Sequence, residues 1–553
     1  MLLTDFDLNS IQDIQQAREC IVRLLNLIEN LELDNRELRE LVQRLRDEIN
    51  HLKGEQGKPK IEPNKKQQTS SSKHSSEQER CKPKQWKKGS KKDAVGVDEV
   101  RVLEVAPEQL PEDAQFKGYV DVVVQDLKIR THNILFRKEK YHSASEGKIY
   151  LAELPRGYEG QFGPGIKALA IVLHFGSNMT EPKMLDFFHD AGVHISAGQL
   201  SNFLIKNQAA FHAEKDAVYE AGLRSSPWQH IDDTAVRVNG QNQYCHIVCN
   251  PLYTAYFTME KKNRLTVIDV LRSGKERLFR LNEEAFSLLA IFNLPAKVMR
   301  PLRYFPQDEE LREAEFLALL EEHLPDLGPR QREQVLDAAA VAAYHAQLEF
   351  PIVRLVICDD APQFKLVTEE LALCWIHDGR HYKKLIPCVA YHRQLLDAFS
   401  KRYWNFYDQL LAYRENPTPE DRSRLEEEFD ELFSTVTGYE ALDERIAKTK
   451  AKKWFLLMVL DHPEIPLHNN PAELGARMRV RQRDVSFATY TEDGTKASDT
   501  FTTLVATAKK LGVSFYEYIY DRVSGAHEMP SLAELITEKA KELQLGASWY
   551  PPP

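Results

Sequence analysis

The sequence predicts a multidomain α/β protein with long helical stretches, and three observations support this prediction. A heptad repeat runs through residues 14–52. Three strand-like segments follow one another in residues 226–260, and a mostly apolar, β-branched segment stands alone at residues 353–358. Amphipathic helical periodicity fills most of the sequence around these strands. The 553 residues allow roughly two to four domains.

The composition excludes several classes of protein. Apolar residues make up 42% of the chain and charged residues 28%, which suffices for a core and argues against disorder throughout. No segment approaches the roughly 18 consecutive apolar residues of a membrane helix. Asp5, Asp7 and Glu19 argue against a signal peptide. The seven cysteines are scattered and form no C-x-x-C pair, which indicates free thiols in a reducing compartment.

Residues 1–53 are predicted to form a dimerising, parallel coiled coil. β-branched residues occupy most a positions of the heptad and Leu most d positions, a combination that favours two parallel strands. Asn35 at one a position would fix the register, because a slipped pairing would bury its amide without a partner. The predicted contact residues are Ile21, Ile28, Asn35, Leu38 and Leu45. The alternative, one amphipathic helix packed on its own domain, is disfavoured by the period of 3.5 residues.

Residues 54–93 are predicted to be a disordered basic linker. From Lys53 to Lys92 there are thirteen Lys and Arg residues against four Glu, although the whole chain has a formal charge of −10. The segment is rich in Lys, Ser, Gln and Pro and offers almost nothing to bury. A solvated linker and a DNA contact without sequence specificity both fit this composition.

Two modules are expected next. Residues 94–163 are predicted to be a small β-rich module, because β-branched and aromatic runs at residues 119–124 and 134–136 alternate with Gly, Pro and Asp. Residues 164–225 are predicted to be helical and to contain a helix-turn-helix, with a turn at Gly192 and Ser196 capping the second helix. Most such pairs are ordinary helical hairpins, so reading of DNA by this module is one of two interpretations.

The candidate chemistry lies in residues 226–525, where helical insertions are expected near 276–348 and 390–460 before a tail at 526–553. Two predicted strands end in acidic pairs, Asp232-Asp233 and Asp359-Asp360. A carboxylate at the end of a buried strand is costly unless a cation lies beside it, and Mg²⁺ prefers such oxygen ligands. Glu473 is the candidate third acid, in the first turn of a helix that Asn470 is expected to cap and Pro471 to begin.

Four arginines follow Glu473 at alternate positions, and guanidinium groups beside a metal site suit a phosphate-bearing substrate. They are Arg477, Arg479, Arg481 and Arg483. Each acid taken alone is more often a turn or cap residue, and the sequence does not decide which member of each acidic pair would bind a metal.

Five motifs in this order resemble the blocks of bacterial transposases of the insertion-sequence-sixty-six type, which are members of the DDE superfamily with an RNase H-like core. The similarity covers most of residues 164–525, and the tail of this region also fits, with Phe487, a loop at residues 492–494 and Ser498. The motifs are His230-Ile231-Asp232-Asp233-Thr234, Cys358-Asp359-Asp360, Cys374-Trp375-Ile376-His377, Arg380-His381-Tyr382 and Asn469-Asn470-Pro471-Ala472-Glu473.

The resemblance implies a DNA transposase that cuts DNA at the ends of an insertion sequence and joins the freed 3′-OH to target DNA. Asp232, Asp359 and Glu473 would be the catalytic, metal-binding triad for two Mg²⁺ ions, which Mn²⁺ can replace. Candidate phosphate-contacting or supporting residues are His377, Arg380, Asn470 and Arg477. His377 also has a purely structural interpretation.

The implied partners are double-stranded DNA (transposon ends and target), a second copy through the coiled coil, and helper proteins of the same element. A cytoplasmic location, on the nucleoid when DNA is bound, follows, and no membrane is expected. Two alternatives stay open: a non-catalytic dimeric DNA-binding accessory protein, and an RNase H-like nuclease that cuts without joining.

The sequence departs from the family pattern in two respects. Residues 94–160 contain no cysteine, so the Cys-rich zinc module of the family is not expected and no structural zinc is predicted. Cys245 and Cys249 would share a strand face and are interpreted as structural. Asp360 stands where the family usually has Gly, which keeps the choice within the second acidic pair open.

Overall fold

A computed structural model describes residues 13–53, 96–106, 109–111, 114–127, 129–158 and 160–550. The predicted basic linker, residues 54–93, lies outside the described residues.

The strands are β1 (Lys140–Ser143), β2 (Lys148–Leu151), β3 (Trp228–Val238), β4 (Gln241–Cys249), β5 (Thr254–Met259), β6 (Leu278–Phe279), β7 (Leu311–Arg312), β8 (Leu355–Cys358) and β9 (Glu370–Leu373). The helices before β8 are α1 (Ile14–Leu52), α2 (Pro164–Ile171), α3 (Glu181–Asp190), α4 (Ala197–Ile205), α5 (Ala209–Arg224), α6 (Arg264–Leu271), α7 (Glu283–Ile291), α8 (Ala296–Leu302), α9 (Glu313–His323) and α10 (Pro329–Ala346). Those after β9 are α11 (Trp375–Lys383), α12 (Ala390–Glu415), α13 (Pro419–Phe433), α14 (Glu440–Lys450), α15 (Lys453–Leu456), α16 (Asn470–Ser486), α17 (Glu492–Leu511), α18 (Phe515–Ser524) and α19 (Leu532–Leu543).

Helix α1 spans the residues that carry the heptad repeat, so the predicted helix is confirmed. Its apolar seam faces solvent: Ile21, Ile28, Leu38 and Leu45 are 48–58% exposed. The coiled coil itself stays a prediction. The helix is also docked on the body through residues away from the seam, because Asn26 donates to Gly438 O (2.8 Å) and a buried Glu29 accepts from Cys388 N (2.6 Å).

The predicted β-rich module is wrong in its extent. Among its described residues, the strands are the two of the β1–β2 hairpin, and no strand forms in the described part of 119–136. Val120 and Val122 are 92% and 77% exposed. A β-branched run becomes a strand only when a neighbour takes its ladder hydrogen bonds, and no described segment pairs with this one.

The helical module agrees with its prediction. Helices α3 and α4 meet at the turn that contains Gly192, which has a positive φ of 80°. Ser196 caps α4, since its Oγ accepts a hydrogen bond from Gln199 N at 3.2 Å. The inward residues of the pair are buried: Met184, Phe188, Leu200 and Leu204.

The central sheet has five strands in the order β5-β4-β3-β8-β9. Strands β3, β4 and β5 are antiparallel neighbours, which confirms the predicted meander. Strand β8 runs parallel to β3 and is buried throughout, as its apolar sequence predicts. Strand β9 was not predicted and lies parallel to β8 at the edge. Asn239 and Gly240, both with positive φ, form the two-residue turn between β3 and β4 that such hairpins favour.

Helices fill the two long connections. Helices α6 to α10 lie between β5 and β8, and α11 to α15 lie between β9 and α16, in agreement with the predicted helical regions. The small antiparallel β6–β7 sheet within the first connection was not predicted. The C-terminal segment includes α19, which packs against α5 and α17. No described helix is both long and apolar enough to cross a bilayer.

Candidate active site

The register of the central sheet brings the two acidic pairs together. His230 on β3 is the partner of Ile357 on β8, an offset of 357 − 230 = 127 residues. Asp232 and Asp359 are separated by the same offset, 359 − 232 = 127. Asp232, which lies within β3, and Asp359, which directly follows β8, are therefore at matching positions of neighbouring strands, and adjacent strands lie about 4.8 Å apart.

Glu473 approaches the same edge from the first turn of α16, which packs on β3 and β4. Asn469 holds this end of the helix in place, since its amide donates to Ile231 O (2.8 Å) and its Oδ1 pairs with His230 Nδ1 (2.9 Å). Asn469, and not Asn470, is therefore the residue that precedes the helix, which corrects the predicted cap by one position. Gly475 permits the close packing, because a Cβ there would lie 2.8 Å from Ile247 Cγ2.

The three carboxylates influence one another. Burial raises the pKa of Asp232 to about 7, and the negative charges of Asp359, Asp233 and Glu473 add to this effect. One oxygen of each candidate is oriented by a donor: Asp232 Oδ1 by Asp233 N (2.8 Å), Asp359 Oδ1 by Ala361 N (3.0 Å) and Glu473 Oε2 by Arg380 Nη2 (3.0 Å). The structure brings Asp232, Asp359 and Glu473 into one acidic cluster.

The second member of each acidic pair has partners of its own. Asp233 accepts from Gln363 Nε2 (2.7 Å) and lies 3.5 Å from Lys262 Nζ. Asp360 lies 2.8 Å from Lys365 Nζ and 2.6 Å from Lys452 Nζ. Burial opposes the charge of Asp360, but hydrogen bonds from the two lysines hold its pKa below the usual range. Asp233 and Asp360 are therefore compensated by the protein, whereas Asp232 and Asp359 are not.

Several buried polar atoms beside Glu473 are unpaired within the described part of the chain. His377 Nδ1 lies 3.3 Å from Glu473 Oε1, yet the two atoms are not aligned for a hydrogen bond and have no other partner. Both amide atoms of Asn470 are also buried without a partner. Unsatisfied buried groups are rare and need a reason such as a bound ion. Their position indicates a ligand that approaches Glu473.

Helix α11 supplies the basic side of the site. Arg380 Nη1 lies 3.1 Å from His377 Nε2, so this arginine contacts both His377 and Glu473. Burial lowers the pKa of His377, and the charge of Arg380 lowers it further against the opposing effect of Glu473. Gly379 lets α11 approach α12, since a Cβ there would lie 2.7 Å from the Trp404 ring.

A cleft of about 480 Å³ opens beside the acidic cluster. Its wall carries three acids, Asp359, Asp360 and Asp378, and three permanently basic side chains, Arg380, Lys384 and Lys452, so cationic groups that could contact phosphates lie beside the carboxylates. The charged and imidazole side chains that line it are Asp359, Asp360, His377, Asp378, Arg380, His381, Lys384 and Lys452.

The expected arginine cluster divides in the structure. Arg477 and Arg481 are exposed. Arg479 is buried and forms an ion pair with Asp499 at 2.9 Å, so it does not face a substrate. Arg483 donates to Ala235 O at 2.6 Å, and Ala235 lies on β3 three residues after Asp232. Alternate positions on a helix point in different directions, which is why four arginines do not share one face.

Cys374, His377 and Glu473 also lie close enough to hold a metal, with one potential ligand atom of each within 4.8 Å of the others. Burial raises the pKa of the Cys374 thiol to about 12, and its Sγ accepts a hydrogen bond from Asn469 N at 3.2 Å. A protonated thiol is a poor ligand. This group therefore fits a zinc site less well than the three carboxylates fit a hard cation.

Two functionally placed residues were missed from the sequence. Lys452 lies 93 residues beyond Asp359 in the chain, and no local pattern connects it to Asp360. Asn469 belongs to a recognised motif, but its hydrogen bonds to His230 and Ile231 depend on the sheet.

The chain is similar to known proteins in two comparisons, one with a family profile and one with a single relative. A family profile described as "Transposase IS66 family" matches residues 159–277, a range that contains α2 to α6, β3 to β5 and Asp232. An uncharacterized protein, y4jO of Sinorhizobium fredii (strain NBRC 101917 / NGR234), is 32% identical over 324 residues, which cover 58% of this chain and 99% of that protein. The chain belongs to the Transposase IS66 family. This membership agrees with the family resemblance of the sequence motifs, although the profile match ends before Asp359 and Glu473.

Proposed function

We propose that this protein is a DNA transposase that cuts DNA at the ends of an insertion sequence and transfers the freed 3′-OH to target DNA. The observation that supports this proposal best is the convergence of Asp232, Asp359 and Glu473, which lie far apart in the sequence, into one acidic cluster in which only Glu473 has a cationic partner, Arg380, among the described residues. The cluster borders a cleft whose wall also carries Arg380, Lys384 and Lys452. Carboxylates with basic side chains beside them suit chemistry on a phosphodiester.

An RNase H-like core is part of the proposal. Its support is the sheet order β5-β4-β3-β8-β9, with three antiparallel strands followed by two parallel additions. Asp232 lies on the first strand of this sheet and Asp359 follows the fourth, and the helix after the second helical connection supplies Glu473. The family membership favours the same arrangement.

Asp232, Asp359 and Glu473 would hold two Mg²⁺ or Mn²⁺ ions. Each carboxylate has one oriented oxygen, and the structure describes no hydrogen bond to the other oxygen. Hard carboxylate oxygens are the ligands that Mg²⁺ prefers. The bound ions would polarise the phosphodiester and activate the attacking hydroxyl or water.

The remaining residues would orient the substrate. Arg380, 40% exposed at its side chain, is suited to contact a phosphate with the guanidinium nitrogens that Glu473 does not use. His377 and Asn470 would complete the contacts beside Glu473, and Arg477 would contact the DNA backbone from the exposed side of α16. No protein nucleophile is required, because water and the DNA 3′-OH are the attacking groups.

Assembly and DNA-end recognition complete the proposal. The exposed seam of α1, with Ile21, Ile28, Asn35, Leu38 and Leu45, would pair with a second copy and bring two DNA ends together. The α3–α4 pair would contact double-stranded DNA, and the basic linker would add affinity that falls with salt. Such a protein would act in the cytoplasm on the nucleoid, with helper proteins of the same element where they are needed.

Replacing the third acid tests the catalytic proposal. We expect Glu473→Gln to abolish Mg²⁺-dependent cleavage of the element's own ends, because the amide keeps the shape but removes a ligand charge. DNA binding, measured by gel shift, should be retained. Glu464→Gln, which changes an acid that pairs with Ser548 near the C-terminus, is the matched control. Full cleavage by Glu473→Gln would remove this residue from the site.

A strand-transfer assay separates the alternatives. Paired ends and a target plasmid should yield joined products with the transposase, whereas a nuclease of the same fold would stop at cut ends. A non-catalytic accessory protein would give neither product while it still binds DNA.

A further inference from the structure

A second groove lies at the C-terminal end of α16, away from the acidic cluster. The tip of the β3–β4 hairpin forms one wall, and the segment 487–490 after α16 forms the other. The groove has a volume of about 650 Å³. Its lining includes Val236, Arg237, Asn242, Arg483, Phe487 and Tyr490.

The loop that carries the aromatic residues is tied to the hairpin. Thr489 N donates to Arg237 O (3.2 Å), and Asn239 N donates to Thr489 O (2.8 Å). Thr491 then caps α17 by accepting from Gly494 N at 3.0 Å. Residues 492–494 therefore begin a helix and do not form the loop expected from the sequence. The loop is held at both ends, so the groove has a fixed shape.

Two aromatic side chains project from this fixed loop. Phe487 is 73% exposed and Tyr490 is 72% exposed. Phe487 also has a φ of 61°, a backbone region that is unfavourable for a bulky residue and costs on the order of 1–3 kcal/mol. A phenylalanine that is both exposed and strained contributes little to folding, which indicates a binding role.

The groove has the chemistry that recognises unpaired nucleotides. Proteins bind single strands by stacking bases on aromatic faces beside basic groups that follow the phosphates. Phe487 and Tyr490 offer such faces, and Arg237 and Arg483 supply two positive charges against the single acid Asp484 in the lining. Arg483 is fixed by its bond to Ala235 O, which reduces the entropy that a phosphate contact would cost.

The distance between the groove and the acidic cluster suits one continuous strand. Phe487 follows Glu473 by 487 − 473 = 14 residues, and a helix rises 1.5 Å per residue, so the two lie about 20 Å apart along α16. One strand of double-stranded DNA covers this distance in about six nucleotides, since its rise is about 3.4 Å per nucleotide.

We propose that this aromatic groove binds a single-stranded segment of the DNA strand that is cut, with a base stacked on Phe487 or Tyr490 and its phosphates on Arg237 and Arg483. The proposal rests on the proposed transposase function and adds a substrate feature to it: unpaired nucleotides about six positions from the cleaved phosphate. Paired bases expose only their edges, so a perfect duplex would gain little from the groove.

Equilibrium binding tests the groove without any cleavage. The full-length protein is titrated, in EDTA, into a fluorescein-labelled 20-nucleotide single strand and into the duplex of the same sequence, and anisotropy gives both affinities. We expect Phe487→Ala and Tyr490→Ala each to weaken single-strand binding about tenfold, with less than a threefold effect on the duplex. Phe487→Trp should restore the affinity, whereas Phe487→Leu should not, because leucine keeps the apolar bulk but cannot stack.

Two controls keep the result interpretable. Tyr304→Ala removes an aromatic that is 87% exposed elsewhere and should leave both affinities unchanged. Phe487→Gly relieves the positive φ, so its melting temperature should equal or exceed that of the wild type while single-strand binding is still lost.

Unchanged single-strand affinity in both alanine variants, or an equal loss in Tyr304→Ala, would overturn the groove proposal. Wild-type cleavage of the element's ends, measured in parallel with Mg²⁺, separates the two proposals. If the wild type cleaves the ends and the alanine variants bind single strands normally, the transposase proposal stands and the groove proposal fails. If the wild type does not cleave and the alanine variants bind single strands weakly, the groove is a single-strand site and the proposed chemistry fails.

Discussion

The dipeptide Asp-Asp occurs twice at one place in the central sheet, within β3 and directly after β8, and the two residues of each pair have different surroundings. Asp232 and Asp359 share a cluster with Glu473, and burial with neighbouring negative charge raises the pKa of Asp232 to about 7. Asp233 and Asp360 lie beside lysines. The protein's own lysines thus lie beside one acid of each pair, while the other acid lies in the cluster without such a partner among the described residues.

The largest expected effect separates the two classes of aspartate. Asp232→Asn and Asp359→Asn should each lower the rate of Mg²⁺-dependent DNA cleavage roughly 10³-fold or more, because each would remove a metal-binding charge. Asp233→Asn and Asp360→Asn should cost roughly tenfold, at the low end of the roughly 10–100-fold effects of residues that support metal ligands. Single-turnover cleavage rates measure both. A greater loss in Asp360→Asn than in Asp359→Asn would reverse the assignment at β8.

An intermediate effect is expected where α16 touches the sheet. Gly475→Ala places a Cβ about 2.8 Å from Ile247 Cγ2 and 3.3 Å from Tyr256 Oη, so the helix must move away from β4. Overpacking of this kind lowers the free energy of unfolding by roughly 1–3 kcal/mol. Cleavage should fall as well, because Glu473 moves away from Asp232 and Asp359. Gly512→Ala provides the control for substitution alone.

Denaturant unfolding of Gly475→Ala, with cleavage measured on the same preparation, checks this prediction. The control position has a positive φ but open space around it, so Gly512→Ala should lose stability without a specific loss of cleavage. Wild-type cleavage by a destabilised Gly475→Ala would show that the position of Glu473 relative to the two aspartates is not critical.

The smallest expected effect concerns Glu29, a buried acid on α1 outside the candidate site, whose carboxylate accepts hydrogen bonds from the body of the protein. Burial opposes the charge of Glu29, but the backbone N–H groups of Cys388 and Val389, with His392, lower its pKa. A lowered pKa in the folded state means that docking of α1 is fully stabilised above the unfolded value near 4.5 and is lost as the pH falls further. Glu29→Gln should weaken docking by roughly 1–3 kcal/mol at neutral pH and remove this dependence.

Hydrogen exchange of α1 between about pH 3 and pH 7, which spans the fall below the unfolded value, measures the docking after correction for the intrinsic exchange rate. The matched control is Glu32→Gln, one turn along α1, where the side chain is exposed. The same pH dependence in Glu29→Gln as in the wild type would assign the effect to another group.

Much of this arrangement could be predicted from local sequence patterns. The heptads gave the bounds of α1, the alternation of residues 230–258 gave the β3–β5 meander, and Asn-Pro placed Glu473 in a first turn. The contacts that complete the site are long-range: Asn469 with His230, Lys452 with Asp360, and Arg479 with Asp499. Such pairs have no signature in a short window of sequence. The four arginines after Glu473 were expected to act together because the window did not show that Arg479 pairs with Asp499.

The predicted β-rich module shows the opposite error. Its β-branched residues satisfied the local preference for strands, but a strand also needs a neighbour, and none of the described segments pairs with residues 119–127. Conversely, β9 was missed because its sequence Glu-Leu-Ala-Leu is equally compatible with a helix. Pairing partners, and not propensity, decided both cases.

Metal binding tests the central claim most directly. The full-length protein without DNA is titrated with Mn²⁺, and free Mn²⁺ is followed by electron paramagnetic resonance for the wild type, Asp359→Asn, Glu473→Gln and Asp360→Asn. The wild type and Asp360→Asn should bind Mn²⁺ with similar affinity, and Asp359→Asn and Glu473→Gln should lose most of it. Unchanged binding in both of the latter variants would contradict a shared cation site formed by Asp232, Asp359 and Glu473.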